Sequence, residues 1–88
     1  MNRTRTETVS VITAEYDNEV ETHNVHLPGG IVKRYPATED RKAAAADAVR
    51  WFAGLPADHE VIVHDDVIFE NVRRYRVEFW QPRTRIRF

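Results

Sequence analysis

Apolar and polar positions alternate along most of this chain, and one stretch breaks the alternation. Val9 to Tyr16 and Val20 to Leu27 are rich in β-branched residues and read as two strands. Asp17-Asn18 lies between them, and both residue types tolerate positive φ, so a tight turn is expected there. Leu27-Pro28-Gly29-Gly30 fits a type II turn, with Pro28 fixing φ at the second position and Gly29 taking positive φ at the third. Ile31 to Tyr35 then pairs back as a short third strand. Pro36 closes it, having no N–H to give to a ladder.

The period changes after Pro36. Ala45, Ala48, Val49 and Phe52 recur at i, i+3, i+4 and i+7, one apolar stripe of a helix, with Trp51 flanking it. The pattern predicts a helix over about 38–53, with Thr38 as N-cap and Glu39 and Asp40 in the first turn, where the helix dipole favours negative charge. Gly54 and then Pro56 mark its end. The run Ala43 to Ala46 lets such a helix lie close on whatever it covers.

Alternation returns in the second half. Glu60 to His64 and Val67 to Glu70 read as strands around an Asp65-Asp66 turn, and Asn71 marks a second turn or a bulge. Arg74 to Trp80 and Arg83 to Phe88 form a last hairpin around Gln81-Pro82. A two-residue loop there places Trp80 opposite Arg83, Glu78 opposite Arg85 and Arg76 opposite Arg87. On the other face it places Phe79 opposite Thr84, Val77 opposite Ile86 and Tyr75 opposite Phe88. The expected fold is therefore α+β. It is a single domain over 1–88, a mostly antiparallel curved sheet of hairpins with one central helix, in the order β-β-β-α-β-β-β-β.

One helix covers one face of a sheet, so the other face should be polar. Several strands do not obey: Val9, Val11 and Ile12, Val61 to Val63, and Val67 to Phe69 are apolar on both faces. Either the sheet curls around itself or a partner covers the second face.

Charge sharpens that picture. The total is −1, but residues 1–72 hold seven Lys/Arg against thirteen Asp/Glu, whereas residues 73–88 hold six Arg and one Glu. A basic end is attached to an acidic body. In the expected hairpin, Arg74, Arg76, Glu78, Trp80, Arg83, Arg85 and Arg87 share one face and form the candidate binding site. Guanidinium groups suit bidentate contacts with carboxylate or phosphate, and Trp80 and Arg83 are placed for a cation–π contact. Arg76 and Arg87 are like charges face to face and short of an anion. A solvated face that protects an edge explains the same residues about as well as a binding face does. Glu15, Asp17, Glu19 and Glu21 cluster at the first hairpin turn. They are either a solvated tip or a dock for the basic hairpin of a second copy.

Other chemistry finds little support. The absence of cysteine excludes disulfides, thiolate metal sites and cysteine nucleophiles. His23 and His26, three apart on a strand, point to opposite faces. A cluster of His64, Asp65 and Asp66 with His23 matches no metal-ligand spacing. Ser10, the sole serine, lacks an elbow motif, and Gly29-Gly30 does not open a helix as a phosphate loop does. No enzyme activity and no cofactor are expected.

Eleven Arg against two Lys is usage common in GC-rich genomes, including bacteria and their phages. Asn2 to Thr8 is polar, no apolar run has membrane length, and a cytoplasmic protein without membrane contact is expected. The leading expectation is a non-catalytic interaction module: a small adaptor, inhibitor or assembly subunit whose partner is an acidic protein or a second copy, as in a homo-oligomer. The alternative is a nucleic-acid-binding protein using the same basic hairpin. An overall pI of about 6.4 weighs against it.

Overall fold

A computed structural model describes residues 3–16 and 20–81. It shows a small α+β domain, a five-stranded antiparallel sheet with one helix. The elements are β1 (Arg3–Tyr16), β2 (Val20–Leu27), a 3-10 turn (Pro28–Gly30), β3 (Ile31–Pro36), α1 (Arg41–Ala53), β4 (Val61–Phe69) and β5 (Val72–Gln81). The sheet order is β3-β2-β1-β5-β4.

Strand β1 organises the sheet because it is long enough to serve two neighbours. Its second half pairs with β2, from Ser10 opposite His26 to Tyr16 opposite Val20. Its first half, from Arg3 opposite Gln81 to Ile12 opposite Val72, pairs with β5. The sheet is stepped as a result, and the described residues extend 53 × 25 × 23 Å. The strand begins at Arg3 rather than Val9. Thr4, Thr6 and Thr8 are β-branched and continue the alternation, although they look polar in sequence.

One face of the sheet carries the core. Val9, Val11, Val25, Leu27, Tyr35, Tyr75, Val77 and Phe79 are buried there under α1, which presents Ala44, Ala45, Ala48 and Val49. Alanines bring the helix close, as the sequence predicts, and Phe52, Ala53 and Leu55 extend the contact. The helix starts three residues later than expected. Asp40, not Thr38, is the N-cap, its carboxylate accepting from the Ala43 amide at 3.1 Å. Residues 37–39 form a turn instead, closed by the Glu39 amide on the Pro36 carbonyl. At the other end Gly54 takes φ 70°, and the Gly54 and Leu55 amides donate to the Trp51 and Arg50 carbonyls. That Schellman pattern needs the left-handed residue glycine supplies. Gly29, at φ 82° and ψ 12°, likewise has the geometry expected of it in the turn after Pro28.

Polar groups on the core face are satisfied. The His23 Nε2–H donates to the Glu39 carbonyl at 2.8 Å, which leaves Nδ1 to accept from the Thr13 hydroxyl at 2.8 Å. Arg41 Nε in turn donates to that hydroxyl at 3.1 Å. Helix start and strands β1 and β2 are thereby locked in one register.

One expected hairpin is not formed. Asp65-Asp66 is not a turn: β4 runs through it, with a β-bulge between Asp65 and Val67 that absorbs one extra residue opposite Arg74. The turn comes at Glu70-Asn71, where the Asn71 side chain donates to the Thr13 carbonyl at 3.0 Å. The two edges of β5 are paired with β1 and β4, and the 83–88 half of the expected last hairpin is not among the described residues. Residues 82–88 lie outside the described residues, as does the 17–19 turn.

Glu70 has φ 53°, a conformation that L side chains adopt at a cost of about 1–2 kcal/mol. Glu70→Gly is therefore expected to raise stability by roughly 0.5–1 kcal/mol, after allowing for the extra freedom of the unfolded chain. Urea unfolding should show a higher midpoint at an unchanged slope; a lower midpoint would show that the Glu70 side chain stabilises the turn.

Candidate interaction surface

Alternation sends even-numbered residues of β1 and β5 to the face away from α1. Arg74, Arg76, Glu78 and Trp80 lie there in line along β5, as the sequence indicates, while Tyr75, Val77 and Phe79 are buried beneath them. Their neighbours differ from those expected. Across β1 the row partners are Ser10, Thr8, Thr6 and Thr4. Across β4, Arg76 faces His64 and Glu78 faces Ile62. Arg83, Arg85 and Arg87 lie outside the described residues.

These neighbours change the electrostatics. Arg74 Nε donates to Asp66 at 2.9 Å, and the bulge is what brings the Asp66 carboxylate opposite it. Glu78 meets His64 Nε2 at 3.1 Å. Among the described residues Arg76 makes no ion pair or hydrogen bond. Two arginines and two carboxylates thus share this part of the face, and among the described residues Arg76 is the cation left without a partner. Such exposed pairs contribute little to stability, about 0–1 kcal/mol each, so their carboxylates and guanidiniums can exchange partners at small cost.

Trp80 stands at the end of the row and is 56% exposed. With Thr4, Glu60, Ile62, Glu78 and Phe79 it lines a shallow pocket of about 120 Å³. Ile62 is 53% exposed beside it. His59 fixes this end: its Nε2–H donates to the Trp80 carbonyl at 2.7 Å, while Arg50 Nε holds the His59 carbonyl at 2.7 Å. The surface is thus partly apolar, rigidly backed and uncovered by any described residue. Thr4, Ile62, His64 and Asp66 were not identified from sequence. The T-x-T-x-T alternation from Thr4 is the signal that places Thr4 on this face; the other three depend on the β4–β5 register.

The remaining polar candidates separate. His23 is buried on the helix side and His64 lies on the opposite face, so they cannot share an ion. His26 is exposed, on the face opposite to His23, as their spacing indicates. Asp65 pairs with Lys42 at 3.2 Å. Among the described residues no group of three His, Asp or Glu is placed to hold a metal ion. Glu15 and Glu21 face each other across the first hairpin and both are exposed; Asp17 and Glu19 lie outside the described residues. No described helix is long and apolar enough to cross a membrane. Comparison with family models, curated proteins and solved structures found no match to this chain.

Proposed function

We propose that this chain is a non-catalytic protein–protein interaction module, and that its contact surface is the uncovered sheet face around Trp80, Ile62 and Arg76. One observation carries the reading: Trp80 and Ile62, each more than half exposed, flank a pocket on a sheet face that no described residue covers. Tryptophan and arginine beside a small apolar pocket are the residue types that dominate interface energetics. Arg76, without a partner among the described residues, supplies a donor for a carboxylate on the other protein.

The nucleic-acid alternative uses the same Trp80 and Arg76, as stacking platform and phosphate contact. Glu78 and Asp66 on the same face oppose a polyanion. A photo-crosslinking amino acid at position 80, with position 51 as control, separates the two. Trp51 is equally exposed but lies on the helix, where Lys33 stacks on it at 4.9 Å. Protein adducts from position 80 and not from 51 are expected in the native cell, with crosslinking reduced at least tenfold by Arg76→Glu. Adducts sensitive to nuclease would move the assignment to nucleic acid, and equal labelling from both positions would remove the surface from consideration.

A further inference from the structure

Of the strand edges in this sheet, the outer edge of β4 is the longest left open by the described residues. Which amides it presents follows from the alternation of hydrogen-bonding direction along antiparallel strands. The Thr13 amide donates to Asn71, so odd-numbered residues of β1 and β5 bond each other. Even-numbered residues of β5 therefore point to β4, as the Trp80 carbonyl does toward His59. Across the register, Ile62 and His64 bond β5, and the backbone groups of Val61, Val63, Asp65 and, beyond the bulge, Ile68 point outward. Ile68 and Phe69 are 67% and 62% exposed, the highest values among the large apolar residues of the described chain.

The other edges are guarded. On β3 the outward positions are Val32, Arg34 and Pro36, and proline has no amide to offer. The free lower half of β1 carries Arg3 and Arg5. Strand β4 has the reverse character: residues 60–70 contain Glu60, Asp65, Asp66 and Glu70 and no Lys or Arg. Asp65 and Asp66 hold Lys42 and Arg74, but Glu60 and Glu70 make no ion pair among the described residues. Two such edges repel each other, so β4 does not suit a second β4. It suits a basic, alternating segment.

The chain contains one. Residues 82–88, Pro-Arg-Thr-Arg-Ile-Arg-Phe, set three arginines against Thr84, Ile86 and Phe88 and include no acid. We propose that residues 82–88 of a second copy pair with the outer edge of β4. This would set the arginines beside Glu60 and Asp66, on the face away from α1, and the apolar side chains beside Val61, Val63 and Ile68 on the helix side. Strand addition of this kind draws affinity from main-chain hydrogen bonds and specificity from alternate side chains. The same chain is poorly placed to do it for itself. Gln81 ends β5 just beyond the start of β4, and the chain entering β4 through His59 and Glu60 stands between Gln81 and the outer edge. A segment that crossed it would have to run parallel to β4, whereas a segment from a second copy is free to run antiparallel. Reciprocal exchange closes a twofold dimer. The proposal rests on the reading of this chain as an interaction module but uses a surface other than the Trp80 face, so the crosslinking result at position 80 does not decide it.

The test combines light-scattering mass with amide exchange on the full chain. A dimer or larger assembly is expected, weakened by salt, with the Val61, Val63, Asp65 and Ile68 amides protected above the association concentration and exposed on dilution. Arg83→Glu/Arg85→Glu/Arg87→Glu and Glu60→Lys/Asp66→Lys/Glu70→Lys should each weaken assembly by roughly tenfold or more, and mixing the two variants should restore a one-to-one complex. All three acidic positions are exposed, so their reversal leaves the core intact. A monomer at every concentration, or protection of those amides that does not depend on concentration, would overturn the second-copy pairing. So would loss of assembly in Glu15→Lys/Glu21→Lys with the β4 variant unaffected, because that places the basic segment on the first hairpin.

Discussion

Phe79→Ala is expected to lower the unfolding free energy by about 3–5 kcal/mol, the range for deleting a fully packed phenylalanine. Phe79 is 2% exposed. It sits on the helix side of β5 between Arg5 on β1 and Val61 on β4, at the end of the sheet where β2 and β3 no longer reach. Few groups are available to collapse into the space it would leave. The Arg5 guanidinium lies 5.7 Å from its ring and is held there by Gln81 at 2.9 Å and Glu7 at 2.6 Å. Truncation therefore removes both the ring and the surface on which Arg5 rests. A domain of this size has roughly 5–10 kcal/mol of net stability, so the variant should lose a large fraction of it. Denaturant titration followed by far-UV circular dichroism measures it. A loss under 1 kcal/mol would mean that the lower sheet relaxes freely, and the Trp80 pocket that shares Phe79 as a wall would not be rigidly backed.

The faces of this sheet were legible in the sequence, and the neighbours were not. Alternation from Tyr75 to Trp80 correctly separates the buried Tyr75, Val77 and Phe79 from the exposed Arg74, Arg76 and Trp80, because the side-chain period belongs to the strand itself. Which strand lies alongside depends on contacts across the whole chain. Arg3 meets Gln81, a pairing that no local turn signal announces. A nearby hairpin with a favourable register was the cheaper inference, and the core face would look the same under either pairing.

Asp65-Asp66 shows the opposite failure. Both residues favour turns, but the bulge lets β4 pass through them while Lys42 and Arg74 take up their charge. The helix was read one turn early because Thr38 and Asp40 are both good caps, and only the Asp40 carboxylate reaches an amide of the first turn. The candidate surface shares this division. Arg74, Arg76, Glu78 and Trp80 follow from parity, while Ile62, His64 and Asp66 join them only through the register of β4. The apolar residues on both faces of the strands are partly resolved by the helix, and Ile62, Val67, Ile68 and Phe69 remain exposed.

Alkaline pH should destabilise this protein steeply, and Tyr35 is the main reason. Its side chain lies under the helix, 8% exposed, and its hydroxyl donates to Asp47 at 2.6 Å. Burial raises its pKa well above the ordinary value, and the Asp47 hydrogen bond, the Asp47 charge and the Glu39 charge act in the same direction. Tyr75 is raised too, chiefly by burial, with Asp65 adding to the shift and Arg41 and Arg73 opposing it. Both tyrosines keep their protons in the folded state at a pH where the unfolded chain has begun to lose them. Their contribution to stability is therefore complete below about pH 10, the unfolded value, and is lost as pH rises beyond it toward the folded values. Each should steepen the loss by about 1.4 kcal/mol per pH unit in that window. The wild-type slope sums both tyrosines, so it alone does not isolate Tyr35. Comparison with Tyr35→Phe does. The variant should start about 1 kcal/mol lower at pH 7, having lost the bond to Asp47, and then fall less steeply above pH 10 by about one proton's worth. Urea unfolding at pH 7, 10 and 11 gives both quantities. Parallel curves for the two proteins would show that Tyr35 ionises as readily folded as unfolded, which a hydroxyl buried against a carboxylate should not do.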